Sequence, residues 1–229
     1  MPVGEHHDGY KMYDSDLSQW TSVKQAAHCD FLGELKKECE KQGVTFATSS
    51  HRAEHFWFLN GGRTIGYDNE VLDEKYRDFY GPAHNIHKIN NLHNLLKQEH
   101  GITPTKEWLE DWLVNSCELI DKYHPETLFF DWWVMNYAFR PYMKKFLAYY
   151  YNRSVEWGKE VCVQYKSDAI MYNVGIFDRE RGQLAATSPY IWQSETSTAY
   201  NSWSYCTTNK FKTAGKIAGT FVDAVSYTH

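Results

Sequence analysis

The chain has 229 residues, 42% of them hydrophobic and 23% charged, with a formal net charge of −5. That balance supports one sizeable core and excludes both a disordered chain and a disulfide-stapled miniprotein. No apolar run approaches the ~20 residues that span a bilayer, and without a basic block no nucleic-acid partner is expected. Aromatic residues reach 17%, with 17 Tyr, 12 Phe and 9 Trp. Aromatic faces stack on the C–H faces of sugars, so the figure raises carbohydrate, although on composition alone a Tyr-rich core is the favoured account. The five cysteines, Cys29, Cys39, Cys117, Cys162 and Cys206, form no CxxC pair and no metal-type spacing, and read as buried free thiols. The first residues, MPVGEHHDGY, lack the charged and apolar regions of a signal peptide.

In chain order, a strand is expected near 1–5. A helix follows over 19–41, with Val23, Ala27, Phe31 and Leu35 on one face. After Gly43, 44–49 (VTFATS) reads as a buried strand. Residues 52–102 then break the rhythm with HRAEHFWFLNGG and a polar, His- and Asn-rich stretch, read as a βα loop insertion. Thr103-Pro104 opens a helix with Thr as N-cap. Trp108, Trp112, Leu119, Ile120 and Tyr123 line its buried side, and His124-Pro125 stops it. A strand over 127–133 (TLFFDWW) comes next, and then a helix over 136–157 with Phe139, Met143, Phe146 and Tyr150 in register. Strands at 161–165 and 190–192 and a helix at 211–225 complete the pattern. Strands alternating with helices point to an α/β fold of parallel βα units, its apolar strands covered on both faces.

Asp131 is the sharpest chemical feature. It ends an apolar strand, and in parallel α/β folds carboxyl strand ends form the active face. The same Asp would also serve as a cap for the following helix. Glycosidase chemistry needs a second carboxylate; in retaining enzymes one attacks the anomeric carbon while the other protonates the leaving oxygen. Asp178, Glu180 and Glu195 are candidates, although each taken singly reads as a solvated surface charge. His6 and His7 in EHHDGY suit hydrogen bonding to ligand hydroxyls, or packing at a strand end. As strand neighbours they point to opposite faces, which argues against one metal ion taking both. SSHRAEH adds His51 and Glu54 beyond another strand end, where Arg52, Glu54 and His55 can pair with one another on a loop. Lys166 follows the 161–165 strand, a place from which a cation would face the rim bearing Asp131 and steady its charge. A lone Trp203 reads first as core. The sequon at Asn152 falls inside the 136–157 helix and is set aside.

Taken together and in order, these segments resemble the α-L-fucosidases of glycoside hydrolase family 29. The likeness rests on HHDGY with MYDS, SSHRAEH, ELIDKYHPETLFFDWW, YYYNRSVEWGKEVCVQYK, DRERGQL and IWQSETSTAYNSWSY, and covers nearly the whole chain. The resemblance implies a (β/α)₈ TIM-like barrel and a retaining exo-α-L-fucosidase acting on a fucosylated glycan, with no cofactor or metal. It implies Asp131 as the nucleophile, with Phe129 where the motif usually has Trp. His6 and His7 match the pair that holds fucose hydroxyls, and His51 stands near a lost substrate-binding Tyr. Lys166 takes the place of a common Arg, and Trp203 that of the aromatic beside the sugar methyl. Many members carry WE where this chain has Trp192-Gln193. Gln193 cannot serve as an acid, so Glu180 is matched to the acid/base and Glu195 is the alternative.

The resemblance further implies a partial barrel over 1–229. The chain starts inside the strand leading to HHDG, and VDAVS passes into Tyr227-Thr228-His229 where the family continues with KNGNLLLN. A barrel without its first and last strands leaves edges unpaired, so the fragment alone is expected to be poorly active. An exported, periplasmic or lysosomal setting goes with the family, while oligomeric state has no signal. Two other readings stand beside this one. Gln193 motivates a non-catalytic carbohydrate-binding protein on the same scaffold, and the His-rich segments a metal-dependent hydrolase, which the His spacing disfavours.

Overall fold

A computed structural model describes residues 1–25, 27–57, 73–82 and 103–226 of the protein. The chain divides into two units, Met1–Val163 and a second that starts at Gln164. In the first unit β1 (Val3–Glu5), β2 (Ala47–Ser50) and β3 (Thr127–Phe130) pair in parallel. Ser49 lies beside both Val3 and Phe129, and Ser50 beside Glu5 and Phe130. The helices of this unit are α1 (Phe31–Gln42), α2 (Arg52–His55), α3 (Arg77–Tyr80), α4 (Lys106–Tyr123) and α5 (Arg140–Trp157).

The two long helices carry the core. α4 buries Trp108, Leu109, Trp112, Leu119, Ile120 and Tyr123, spaced so that they form one stripe. α5 buries Met143, Phe146 and Tyr150. The Trp112 ring meets Phe130 of β3 at 5.3 Å, and Phe139 and Phe146 at 5.1 and 6.2 Å. Truncating Trp112 to Ala would cost about 3–5 kcal/mol through lost transfer energy and a cavity. His124 ends α4 in the left-handed region at φ 42°, and Gly158 does the same for α5 at φ 63°.

In the second unit β4 (Cys162–Lys166), which begins at the close of the first unit, pairs in parallel with β5 (Ile176–Glu180). β5 pairs in parallel with β6 (Trp192–Glu195), and α6 (Ala214–Ser226) follows. No helix bridges β4 to β5 or β5 to β6. Met171, Tyr172, Tyr190 and Ile191 in these connections are exposed, so the expected cover on both faces fails here.

Several boundaries move. The helix expected over 19–41 exists only as α1, and of its proposed apolar face Phe31 and Leu35 are exposed while Leu32 is buried. The described residues among 19–30 form turns instead, because their polar side chains capture the backbone. Thr21 accepts from the Lys24 amide, Ser22 donates to the Cys29 carbonyl, and Asp30 caps α1 by accepting from the Gly33 amide. Thr105, not Thr103, caps α4. β2 keeps only the ATS of VTFATS and runs on to Ser50, β4 and β6 run later than expected, and β5 was not expected at all. Its IFDRE hides a strand because a charged residue, Asp178, occupies a buried position. Within 52–102, residues 52–57 and 73–82 are described and include α2 and α3, and the rest of that expected insertion lies outside the described residues. All five cysteines are free but only half-buried. Among the described residues no helix is long and apolar enough to cross a membrane.

Candidate active site

In the first unit every strand delivers polar residues just past its carboxyl end. β1 gives His6 and His7, β2 gives His51, and β3 gives Asp131. His6 and His7 are not strand neighbours, as the sequence pattern implied, but lie beyond β1 in a turn that the Gly9 amide closes onto the His6 carbonyl at 3.0 Å. Their rings therefore sit together, centroids 3.9 Å apart, with the His51 ring 4.8 Å from His6. Gly9 has φ +84°, and a Cβ there would lie 2.6 Å from His55 Cε1, so only glycine makes this turn.

Glu54 organises the histidines. It follows His51 by three residues, which places both on one side of the helical turn. His51 Nδ1 lies 3.1 Å from Glu54 Oε1 and 3.5 Å from Asp131 Oδ2, while His7 Nδ1 lies 3.4 Å from Glu54 Oε2. Burial opposes the charge on Glu54, but the hydrogen bonds from His51 and His7 win and hold its carboxyl below the usual range. The Glu54 hydrogen bond in turn raises the pKa of His7, against its partial burial. Burial, then the charges of His7 and His51, lowers that of His6. Asp131 also accepts from the Trp132 amide at 2.8 Å. Phe129, two residues before Asp131 and so on the same strand face, presents its ring 6.1 Å from His51. Trp133 is held at φ 74° and stacks on Trp57 at 4.7 Å, buried.

Arg52 does not pair with Glu54 or His55, as a loop reading would have it. It is buried and bridges Glu5 and Asp111. His51, Glu54 and Asp131 bring ligand-type atoms within 4.8 Å of one another, the one trio within this unit that suits a metal ion among the described residues. A cation there would displace the proton on His51 Nδ1, which already serves both carboxylates.

The second unit gathers its acids by register. Lys166 pairs with Asp178, Asp178 with Gln193, and Glu180 with Glu195, so all five side chains share one face. Lys166 is buried and ion-paired with Glu180 at 2.8 Å and with Glu195 more closely, and lies 4.0 Å from Asp178. Lys166 and Asp178 are therefore not the solvated charges their residue types imply. Burial, then the negative charge of Glu195, pushes the Asp178 pKa up to about 7 despite Lys166. Trp203 is not core: it is 52% exposed, with the Arg181 guanidinium 4.3 Å from its ring centroid.

Glu54 and Asp178 are the two groups whose importance residue types alone do not convey. The i, i+3 spacing from His51 signals the first. Pairing of Asp178 with Lys166 signals the second only once β5 is known.

Parallel strands with histidines and carboxylates past their carboxyl ends define the class, an α/β fold with a polar site at its strand ends. The family model for α-L-fucosidase matches residues 1–228, and the chain belongs to the α-L-fucosidase family. A solved α-L-fucosidase superposes with a TM-score of 0.70 at 20% identity, over 99% of this chain and 44% of that one. The Thermotoga maritima α-fucosidase in complex with fucose gives 0.59 at 19% identity, over 99% and 44%. α-L-Fucosidase isoenzyme 1 from Paenibacillus thiaminolyticus gives 0.60 at 14% identity, over 98% and 51%. At these identities the likeness is one of fold, and the chain spans under half the length of the first two structures. No curated protein matches the sequence.

Proposed function

We propose that this chain belongs to a retaining exo-α-L-fucosidase that removes terminal α-L-fucose from glycoconjugates or oligosaccharides through a fucosyl-enzyme. In this reading it contributes residues 1–229 to a (β/α)₈ catalytic barrel, with 52–102 as a loop insertion. The observation that carries the proposal is Asp131, at the end of β3 in a chain of the α-L-fucosidase family, hydrogen-bonded by the Trp132 amide and set 3.5 Å from His51.

Asp131 attacks the anomeric carbon as the glycosidic bond breaks, and Glu180 protonates the departing oxygen. Water, deprotonated by Glu180, then displaces Asp131. Two inversions leave the α-anomer. Three carboxylates around Lys166 favour retention of a proton, and Asp178, raised to about 7, is about half protonated at neutral pH. That supports an acid in this group; Glu180 takes the role, with Glu195 as its alternative. His6, His7 and His51 hold sugar hydroxyls, with Glu54 fixing the tautomers of His7 and His51. Phe129 walls the site and Trp203 takes the sugar methyl. Lys166, ion-paired with Glu180 and Glu195, keeps the substrate-binding place that the family pattern implies and steadies the acids as well. A fucosylated glycan is the partner, and no cofactor is needed.

The test is the anomer that proton NMR detects first when the full-length protein cleaves 4-nitrophenyl α-L-fucoside. α-L-Fucose, mutarotating later, is the expected result. β-Fucose at early times would overturn retention, and absence of turnover would overturn the activity.

A further inference from the structure

Beneath the histidines of the first unit lies a set of four charges. Lys11 Nζ is 2.6 Å from Glu5 Oε2, and Arg52 Nη1 is 2.5 Å from Glu5 Oε1. Arg52 Nε and Nη2 both donate to Asp111 Oδ2, at 2.8 and 2.6 Å. Glu5, Lys11 and Arg52 are almost wholly buried, and the indole of Trp108 covers the guanidinium at 5.4 Å. The four charges cancel. An apolar set of the same volume would serve stability as well or better, since desolvating ions costs much of what their attraction returns.

What the ions supply is placement. Glu5 is the last residue of β1 and directly precedes His6. Arg52 is the first residue of α2, directly after His51 and two before Glu54. Asp111 stands on α4. The His51 amide also donates to the Glu5 carbonyl at 2.8 Å. One planar guanidinium therefore ties the end of β1, the start of α2 and the flank of α4, using donors in fixed directions that an ammonium does not have. Building on the fucosidase reading, we propose that Arg52, through Glu5 and Asp111, is a positioning residue that sets the spacing of His6 and His7 against His51 and Glu54, and so the affinity for the sugar's hydroxyls.

Arg52→Lys in the full-length protein tests this, because lysine keeps the charge but cannot reach both carboxylates. KM for 4-nitrophenyl α-L-fucoside should rise about tenfold while kcat falls less than about threefold. The thermal midpoint should move by only a few degrees. Combined with His51→Ala, the loss in kcat/KM should be smaller than the product of the single losses, since both changes act through one side chain. Losses that simply multiply, or a lowered midpoint with unchanged KM, would overturn the proposal. Should Arg52→Lys fail to fold, Asp111→Asn, at the more exposed end of the network, must show the same KM-against-kcat split. If the unaltered protein hydrolyses no fucoside, the fucosidase reading fails by itself. Calorimetric titration with L-fucose then decides the positioning role. Weaker binding by Arg52→Lys upholds it, while equal affinity, or no binding by either protein, sinks it.

Discussion

In the first unit the buried charges have opposite partners. Glu5 faces Lys11 and Arg52, Arg52 faces Asp111, and Glu54 faces two imidazoles. In the second unit Asp178, Glu180 and Glu195 crowd one buried cation, Lys166. The consequences run in opposite directions with pH. Burial and then the Arg52 and Lys11 charges leave Glu5 at about 2, below its ordinary 4.5, because the two cations outweigh desolvation. Burial, with the Arg52 charge, lowers His55 from 6.5 to about 3. Both groups lend stability that is lost as acid is added, between about 6.5 and 3 for His55 and between about 4.5 and 2 for Glu5. Asp178 is raised from 3.8 to about 7, so its contribution is complete in acid and disappears as pH rises through neutrality. Balanced charges hold a geometry, whereas an unbalanced cluster retains a proton, and a glycosidase needs both.

The largest effect expected is at Asp131. Asp131→Gly should lower turnover of an aryl fucoside by roughly 10⁴-fold or more. Added azide should restore part of it by entering the vacated space and giving a fucosyl azide. Without that rescue, Asp131 is not the nucleophile, and the first unit would only hold substrate. The next effect breaks the second cluster. Lys166→Met removes the one cation among three carboxylates, and urea denaturation should register a loss of about 3–5 kcal/mol at pH 8. The loss should shrink toward pH 4 as the acids take up protons. A loss independent of pH would mean that packing of the lysine stem, not charge, is what the site uses.

Legibility in the sequence followed the same division. The α4 and α5 core stripes could be read because each is a helical repeat, and the place of Asp131 beyond a strand because an acid closes an apolar run; the turn that gathers His6 and His7 could not, because the sequence reads there as a continuing strand. β5 could not, because IFDRE places an acid at a buried strand position, and only neighbours on β4 and β6 explain it. The stretch over 19–30 has helical spacing, yet its Ser and Thr side chains bind backbone locally and win. Arg52 was legible as a charge but not as a tie, since Glu5 and Asp111 are distant from it in sequence.

Asp178→Asn sharpens the contrast between the units. The amide cannot ionise, so the variant should match the parent near pH 4 and exceed its stability by a few kcal/mol near pH 8. Denaturant midpoints at the two pH values measure this. A constant difference across that range would show that Asp178 ionises in the folded state as easily as in the unfolded one.

The smallest effect separates two uses of Trp203. Its exposed ring under Arg181 is worth about 0.5–1 kcal/mol as a cation–π pair, so Arg181→Ala and Trp203→Ala should lower stability alike and only slightly. If the ring also receives the sugar methyl, Trp203→Ala should cost about tenfold in kcat/KM for an α-L-fucoside. The β-D-arabinopyranoside, the same ring without the methyl group, should lose almost nothing, and Arg181→Ala should spare both substrates. Equal losses on the two sugars would assign Trp203 to the ring face and not to the methyl. No loss on either would leave it a partner of Arg181 alone.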